Sequence, residues 1–173
     1  VGAMVTYGAA PNSIKADEGS SIYSYNDASR VVIETSHSII SGTTIQAEGV
    51  GSSVTLDAGT GIQLQFGSVV AARASNALVT LKSRDYVYVD SGAAVTVGAR
   101  FDTVNGEQVA VATGTGTRLI IDTAGRLRLD GSVTAAGGMS LNYGDRNDDY
   151  ASYFDTINGV ELSSVGFDTA ILT

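Results

Sequence analysis

The 173-residue chain contains no cysteine, no tryptophan and only one proline, and just 16% of its residues are charged. Without cysteine, neither a disulfide framework nor a thiolate metal site can form. One proline and no strict glycine triplet exclude a collagen-like chain. No apolar run approaches the roughly 18 residues that a transmembrane helix needs. The hydrophobic fraction of 43% argues against disorder, which requires low hydrophobicity and high charge.

Positive charge is also scarce, because 18 acidic residues stand against 10 lysines and arginines, for a formal net charge of −8. Nucleic acids and anionic membranes are bound through clusters of basic residues. We therefore expect no nucleic-acid partner and no membrane insertion. Much of the acidity lies near the C-terminus, since residues 144–173 hold six acids and one arginine.

Small residues are abundant, with 21 glycines among 173 residues. Between them, one pattern occurs four times: an apolar residue, a variable one, a second apolar residue and a charged one. Period-two alternation of mostly β-branched residues is typical of a half-buried strand. The four segments are residues 31–34 (VVIE), 54–57 (VTLD), 79–82 (VTLK) and 119–122 (LIID).

The surroundings of these segments repeat as well. Each is followed by a four-residue turn and a second alternating strand, and a third short strand often follows another glycine. Equivalent positions are offset by 23, 25 and 40 residues, and the last interval contains an insertion. The N-terminal part joins in through residues 19–22 (GSSI), which resemble residues 51–54 (GSSV), and a further unit begins at Met139.

A period of 20–25 residues built from short strands predicts a β-solenoid, in which each repeat is one coil. One coil cannot bury its inner face alone, but about six or seven coils stacked at about 4.8 Å pair every strand with its counterparts above and below. Glycine at the corners permits tight turns, and a near absence of proline preserves the hydrogen-bond ladders. The alternative is an antiparallel β-sandwich, which would show tight hairpins and no such repeat.

One stretch, residues 112–138, resembles a filamentous-haemagglutinin repeat. It contains an apolar strand, TAGR at 123–126, a second apolar strand, DG at 130–131, VTA at 133–135 and a closing GG. The resemblance extends over about residues 30–145. It is more specific for architecture than for function.

This resemblance implies a right-handed parallel β-helix from a large exported bacterial adhesin of the two-partner secretion style. It also implies an extracellular or bacterial cell-surface location and a role in adhesion or biofilm cohesion. The uneven repeat length and two insertions depart from the family pattern. No motif of a secretion domain is present in the sequence.

We expect a single solenoid domain over residues 1–173. An N-terminal coil or cap occupies residues 1–27. The repeat core spans residues 28–144, with an insertion at residues 101–113. An acidic insertion and a C-terminal coil or cap complete the chain over residues 145–173.

The two insertions share a phrase, FDTVNG at residues 101–106 and FDTING at residues 154–159. Asn-Gly is a strong signal for a type I′ hairpin turn. Each insertion therefore predicts a hairpin that projects from the rod. Loops on a rigid scaffold are frequent recognition sites, so both are candidate binding loops. The candidate binding residues are Phe101, Asp102, Asn105, Gly106, Phe154, Asp155, Asn158 and Gly159.

Calcium is the one cofactor that the sequence suggests. Asp145, Asn147 and Asp149 match the first three ligand positions of a calcium loop. The sixth and twelfth positions hold Tyr150 and Thr156, where such a loop needs glycine and glutamate. The alternative is a solvated acidic loop.

A polysaccharide-acting β-helix enzyme requires paired carboxylates on one face. Acids recur at equivalent positions of the repeat, but Lys82 interrupts the series. The recurrence is explained by the need for a polar residue where each strand ends at a corner. We therefore assign no catalytic residue. A lyase would also need arginines near the acids, and no aromatic residue supports the arginines that are present. The acids are Glu34, Asp57 and Asp122, and the arginines are Arg84, Arg126 and Arg128.

The sequence thus favours a non-enzymatic structural module, a stiff rod that presents binding loops to a protein or carbohydrate on a host or neighbouring cell. An extracellular filament subunit that associates end to end is a second possibility, since open coil ends are adhesive edges. A polysaccharide-acting β-helix enzyme and a piece of a phage tail fibre are the third and fourth.

Overall fold

The computed structural model describes residues 4–10, 13–105, 107–142 and 169–172. In these ranges the chain forms strands joined by short turns, and no helix that could cross a membrane is present. The strands are β1 (Met4–Ala10), β2 (Ile14–Ala16), β3 (Ser21–Ser24), β4 (Arg30–Thr35), β5 (Ile39–Ser41), β6 (Thr44–Ala47), β7 (Ser53–Ala58), β8 (Gly61–Leu64), β9 (Val69–Ala72), β10 (Leu78–Ser83), β11 (Tyr86–Val89), β12 (Ala94–Val97), β13 (Ala99–Val104), β14 (Glu107–Ala112), β15 (Arg118–Thr123), β16 (Arg126–Leu129), β17 (Ser132–Ala135), β18 (Gly138–Asn142) and β19 (Thr169–Leu172).

Three sheets contain all of these strands except the pair β13–β14. The first sheet has the order β1-β4-β7-β10-β15-β18-β19, the second β2-β5-β8-β11-β16 and the third β3-β6-β9-β12-β17. The chain therefore passes from the first sheet to the second, to the third and back again. Every pair within the three sheets is parallel except β18–β19. This architecture is compatible with a β-solenoid, and the antiparallel sandwich is wrong for these sheets.

The register of the strands follows the repeat of the sequence. Val31 pairs with Val54, Val54 with Val79, and Val79 with Leu119, so the equivalences read from the apolar positions are confirmed. Met139 continues the same row beside Leu119. The three sheets thus place matching residues of successive repeats directly over one another.

The predicted likeness between residues 19–22 and 51–54 is wrong as an equivalence. Ile22 pairs with Ile45 in the third sheet, whereas Val54 lies in the first sheet. Gly19 and Gly51 both have positive φ angles, +82° and +71°, which glycine adopts without steric cost. A GSS segment therefore marks a corner before a strand, whichever sheet that strand joins.

The core is a set of apolar columns that run along the stack. In the first sheet the alternate residues of β7 and β10, such as Val54, Leu56, Val79 and Leu81, are fully buried. The second sheet contributes buried residues from β8 and β11 in the same way. Burial of each such side chain stabilises the fold by about 1.5–3 kcal/mol relative to an exposed one, so the columns fix the register.

Glycine is required where one turn stacks on the turn before it. A Cβ atom at Gly125 would collide with the backbone carbonyl oxygen of Asp85, in the equivalent turn of the preceding repeat. The Arg126 amide then donates a 2.8 Å hydrogen bond to that same carbonyl oxygen. The glycine of the TAGR segment therefore lets the turn before β16 approach the turn before β11, so that the two strands can pair.

Candidate functional site

The first predicted binding loop is part of an antiparallel hairpin formed by β13 and β14. Asn105 has a φ of 55°, which suits the left-handed position of an Asn-Gly turn. Near the base, the Arg100 Nε atom lies 3.0 Å from Asp102 Oδ1. Phe101 belongs to β13, and Gly106 lies outside the described residues. Binding at this hairpin stays a prediction.

The remaining predicted site residues lie outside the described part of the chain. These are the loop at residues 154–159 and the calcium ligands Asp145, Asn147 and Asp149. Within the described ranges, no group of three or more His, Cys, Asp or Glu side chains is placed to hold a metal ion. Calcium binding at the acidic loop stays a prediction.

The recurring acids of the first sheet form one column on its outer face. Glu34 pairs with Asp57, Asp57 with Lys82, and Lys82 with Asp122. The Lys82 Nζ atom lies 3.5 Å from Asp57 Oδ2. Lysine therefore separates Asp57 from Asp122 within the column, as the sequence indicated.

The outer face of the second sheet holds a different set of residues. In β11, Val87 and Val89 are fully buried, so Tyr86 and Tyr88 point outward. Their ring centroids are 4.7 Å apart and the ring planes differ by 30°. The parallel register places Arg126 beside Tyr86 and Arg128 beside Tyr88. We call these four outward residues the tyrosine–arginine face, and its members are Tyr86, Tyr88, Arg126 and Arg128.

Tyr86 is held by the neighbouring strand β8. A Cβ atom at Gly61 would lie 2.5 Å or less from Cζ, Cε1 and Cε2 of the Tyr86 ring, at nearly equal distances. Equal distances to three adjacent ring atoms mean that Gly61 lies under the face of the ring rather than at its edge. The Tyr86 hydroxyl reaches the Ser38 Oγ atom at 3.5 Å. One ring face therefore rests on the sheet, and the ring of Tyr88 is stacked against that of Tyr86.

Arg128 is held by two carboxylates and a ring. Its guanidinium carbon lies 4.6 Å from the centroid of Tyr88. Its Nη2 atom donates a 2.6 Å hydrogen bond to Asp90 Oδ1, and its Nε atom lies 3.0 Å from Asp130 Oδ2. Gln63 Nε2 donates to the second oxygen of Asp90 at 2.7 Å. These contacts fix the Arg128 side chain across three strands and the turn beyond them.

The charge of Arg128 is secured by this arrangement. Burial acts to lower the pKa of Arg128, but the hydrogen bond to Asp90 and the charges of Asp130 and Asp90 outweigh it and raise the pKa above its usual value. Because an arginine is already protonated throughout the pH range of folded proteins, the raised pKa signals a compensated ion pair. Because its guanidinium group is fixed by Asp90 and Asp130 and lies over the Tyr88 ring, Arg128 braces Tyr88, that is, it holds the ring in place.

An open groove lies beside the tyrosine–arginine face and has a volume of about 550 Å³. Tyr86 and Tyr88 line it, with Arg84 and Asp85 from the turn between β10 and β11 and with Arg126 from β16. Arg84, Asp85 and Arg126 are exposed, whereas both tyrosines are half-buried. The groove therefore combines a fixed aromatic surface with exposed polar side chains at its rim.

The sequence interpretation missed this site. It held that no aromatic residue supports Arg84, Arg126 and Arg128, and this is wrong, because Tyr86 and Tyr88 pair directly with β16. The signal was present in the sequence, since the repeat aligns the four-residue segment YVYV with the segment RLRL. The equivalence of these two segments places Tyr86 beside Arg126 and Tyr88 beside Arg128.

No protein-family model matches the chain, and neither the curated proteins nor the solved structures provide a match.

Proposed function

We propose that this chain is a non-enzymatic structural module of a bacterial cell-surface or extracellular fibre. In this proposal it is a right-handed parallel β-helix of about six or seven coils, which stack at the strand spacing of about 4.8 Å. It serves as a stiff section that holds binding surfaces away from the cell. The partners are proteins or carbohydrates on a host or neighbouring cell.

The observation that supports this proposal is the register of the parallel strands, which is unbroken except for one shift between Tyr7 and Ala10 in the pair β1–β4. The central strand β10 pairs over its six residues with β7 on one side and with β15 on the opposite side. Strands that are bonded on both sides must lose whole ladders before they separate. Mechanical stiffness along the stack is the property that such an arrangement provides.

The hairpin β13–β14 supports the presenting role. It interrupts the repeat between β12 and β15, and β10 still pairs directly with β15. At its base the Thr113 amide donates a 2.7 Å hydrogen bond to the Gly98 carbonyl oxygen. The hairpin is therefore an addition to the stack that the ladders do not need.

Stiffness can be tested by pulling the chain by its two ends in a force spectrometer. In Thr80→Pro the centre of β10 loses a ladder donor, and an unsatisfied buried partner costs about 1–3 kcal/mol. We expect a lower unfolding force for Thr80→Pro and an unchanged force for the control Thr80→Ala. Equal forces for the proline and alanine variants would mean that the ladders do not resist the load.

Adhesion can be tested with beads coated with the purified chain. We expect the coated beads to adhere to bacterial or host cell layers more strongly than beads coated with an inert protein of similar charge. Excision of residues 99–112, which joins Gly98 to Thr113, measures how much of the adhesion depends on the hairpin. Adhesion no stronger than that of the inert coat would contradict the adhesive role.

A second candidate function is a filament subunit that associates end to end. Among the described residues, β1, β2 and β3 end their sheets on one side, and β19, β16 and β17 end them on the other. Terminal strands offer unpaired backbone groups that another chain can extend. Sedimentation velocity over a range of concentrations would then show growing species, whereas a constant sedimentation coefficient would contradict this function.

A further inference from the structure

We propose that β18 and β19 form a cap that prevents two copies of the chain from joining head to tail. In such a join, β1, β2 and β3 of one copy would pair with β15, β16 and β17 of the other. The inference goes beyond the adhesive function and does not depend on it. It qualifies the end-to-end function, because it allows growth only after the cap is released.

The cap is visible as a step at one end of the stack. The first sheet contains seven strands, whereas the second and the third contain five each. β18 and β19 are the two additional strands, and at about 4.8 Å per strand they extend the first sheet by about 10 Å beyond the others. A second copy therefore cannot pair with all three sheets while β18 and β19 are in place.

β18 occupies the position that an incoming β1 would take. Within the chain, β1 pairs in parallel with β4, and Val5 lies beside Val31. The row of Val31 continues along the first sheet to Leu119 of β15 and then to Met139 of β18. β1 and β18 thus hold the same row position on their neighbours, and both are parallel to them. A β1 strand from a second copy would compete with β18 for the edge of β15.

β19 covers the remaining edge of β18. The two strands pair over residues 139–142 of β18, and theirs is the single antiparallel pair of the three sheets in the described part of the chain. An incoming β1 would be parallel, like the strands that build the stack. β19 therefore ends the parallel series at this edge, and covering an edge strand is a common protection against pairing with another chain.

The second sheet supplies the surfaces that would join, because both ends of one inward column are incompletely covered. Ile14 and Leu127 are half-buried, whereas the three residues between them are at most 1% exposed. A second copy translated along the stack would place Ile14 on Leu127 and bury both. The two surfaces differ, so the contact is heterologous and can repeat without closing. The column consists of Ile14, Ile39, Ile62, Val87 and Leu127.

The outward row beside this column gives the join a charge signature. Lys15 and Arg128 are its two ends, so the head-to-tail contact would bring two cations together. Lys15 Nζ lies 3.3 Å from Asp17 Oδ1, and Arg128 Nη2 lies 2.6 Å from Asp90 Oδ1. Like charges at adjacent register positions are unfavourable, so an acidic residue in place of Lys15 should strengthen the join.

Sedimentation velocity over a range of concentrations tests the cap. We expect a constant sedimentation coefficient for the unaltered chain. In the double variant Ser140→Pro, Ala170→Pro each strand of the cap contains a proline, which removes a backbone donor and fixes φ. We expect the sedimentation coefficient of this variant to rise with concentration. The matched control, Ser140→Ala with Ala170→Ser, keeps both donors and should behave as the unaltered chain does.

Two further substitutions in the proline background show whether the growth is the head-to-tail join. Ile14→Asp should weaken association by about 10-fold or more, because it brings an unpaired charge to the apolar contact. Lys15→Glu should strengthen association by about 2- to 5-fold, because it replaces two like charges by an ion pair. Unspecific aggregation would not respond in opposite directions to changes at two neighbouring residues.

Growth of the unaltered chain would overturn the cap and support the end-to-end function. A folded proline variant that stays monomeric would overturn the cap and contradict the end-to-end function, whereas bead adhesion measures the adhesive function separately. Should the proline variant fail to fold, Leu141→Asp decides in the same measurement. Leu141 is 3% exposed in β18, so this change releases the strand without removing a backbone donor.

Discussion

Two pairs of tyrosines occupy the same kind of sequence position and end in different environments. Tyr23 and Tyr25 are two residues apart, as are Tyr86 and Tyr88, and each pair is stacked, with ring centroids 5.8 Å apart in the first and 4.7 Å in the second. The first pair is largely in solvent, with Tyr23 41% and Tyr25 56% exposed. The second pair is half-buried.

The position of the strand at each pair explains the difference. Tyr23 lies on β3, which ends its sheet among the described residues, and it has a register neighbour, Gln46, on one side. β11 lies between β8 and β16, so Tyr86 has Gly61 on one side and Arg126 on the opposite side. Alternation places a tyrosine on the outer face, but the neighbouring strands decide whether its ring is held.

The largest effect is expected when a methyl group is added at Gly61, beneath the Tyr86 ring. In Gly61→Ala the new methyl group would lie inside the contact distance of the Tyr86 ring face, so the ring must leave its position. Overpacking costs about 1–3 kcal/mol in a closed core, and because the half-buried Tyr86 ring can move outward, we expect a loss in the lower half of that range. Chemical denaturation should show the loss, and the exposure of Tyr86 to solvent should rise toward that of Tyr23.

Two controls show whether the ring is the cause. A Cβ atom added at Gly42 would have its nearest neighbour at 3.4 Å, so Gly42→Ala should be nearly neutral. In a Tyr86→Ala background the clash is absent, and alanine in a strand is favoured over glycine by about 0.5–1 kcal/mol. Gly61→Ala should therefore stabilise that background. A loss of equal size in both backgrounds would contradict the contact.

A smaller effect is expected when the brace of Tyr88 is removed. Arg128→Met leaves Asp90 and Asp130 without their cation and removes the contact with the Tyr88 ring. Exposed ion pairs and cation–π contacts each contribute about 0.5–1 kcal/mol, and these side chains are only partly exposed, so a loss of about 1 kcal/mol is expected in urea denaturation.

The matched control for Arg128 is Lys15→Met. The Lys15–Asp17 pair is exposed on both sides, at 66% and 79% of the side-chain surface, and Lys15 contacts no ring among the described residues. We expect no measurable change in stability for this variant. A loss as large as that of Arg128→Met would show that net charge, rather than the brace, controls the result.

The parallel register was predictable from the sequence because it depends on buried side chains. A shift of one residue would expose every inward valine and leucine, so the apolar positions of residues 31–34, 54–57, 79–82 and 119–122 align uniquely. Corners contain no such constraint. The GSS segments at residues 19–21 and 51–53 have the same sequence, although they precede strands of different sheets, so their likeness predicts a false equivalence.

The tyrosine–arginine face was predictable in part. Aligning Val87 with Leu127 places Tyr86 beside Arg126, and this needs only the repeat. The position of the Tyr86 ring over Gly61 does not follow from alternation, because the side chain could extend along either neighbouring strand. The pairing of Arg128 with Asp90 and Asp130 likewise depends on rotamers and on a turn, which a repeat pattern does not specify.

The smallest expected effect concerns the exposed pair itself. Tyr25 is 56% exposed and lies beyond the end of β3, so Tyr25→Ala should change the free energy of unfolding by no more than about 0.5 kcal/mol, the range of most surface substitutions. Tyr86→Ala, which uncovers Gly61, should cost clearly more in the same urea titration. If the two alanine variants lose equal stability, support from neighbouring strands is not what distinguishes the pairs, and stacking between the two tyrosines of each pair becomes the common cause.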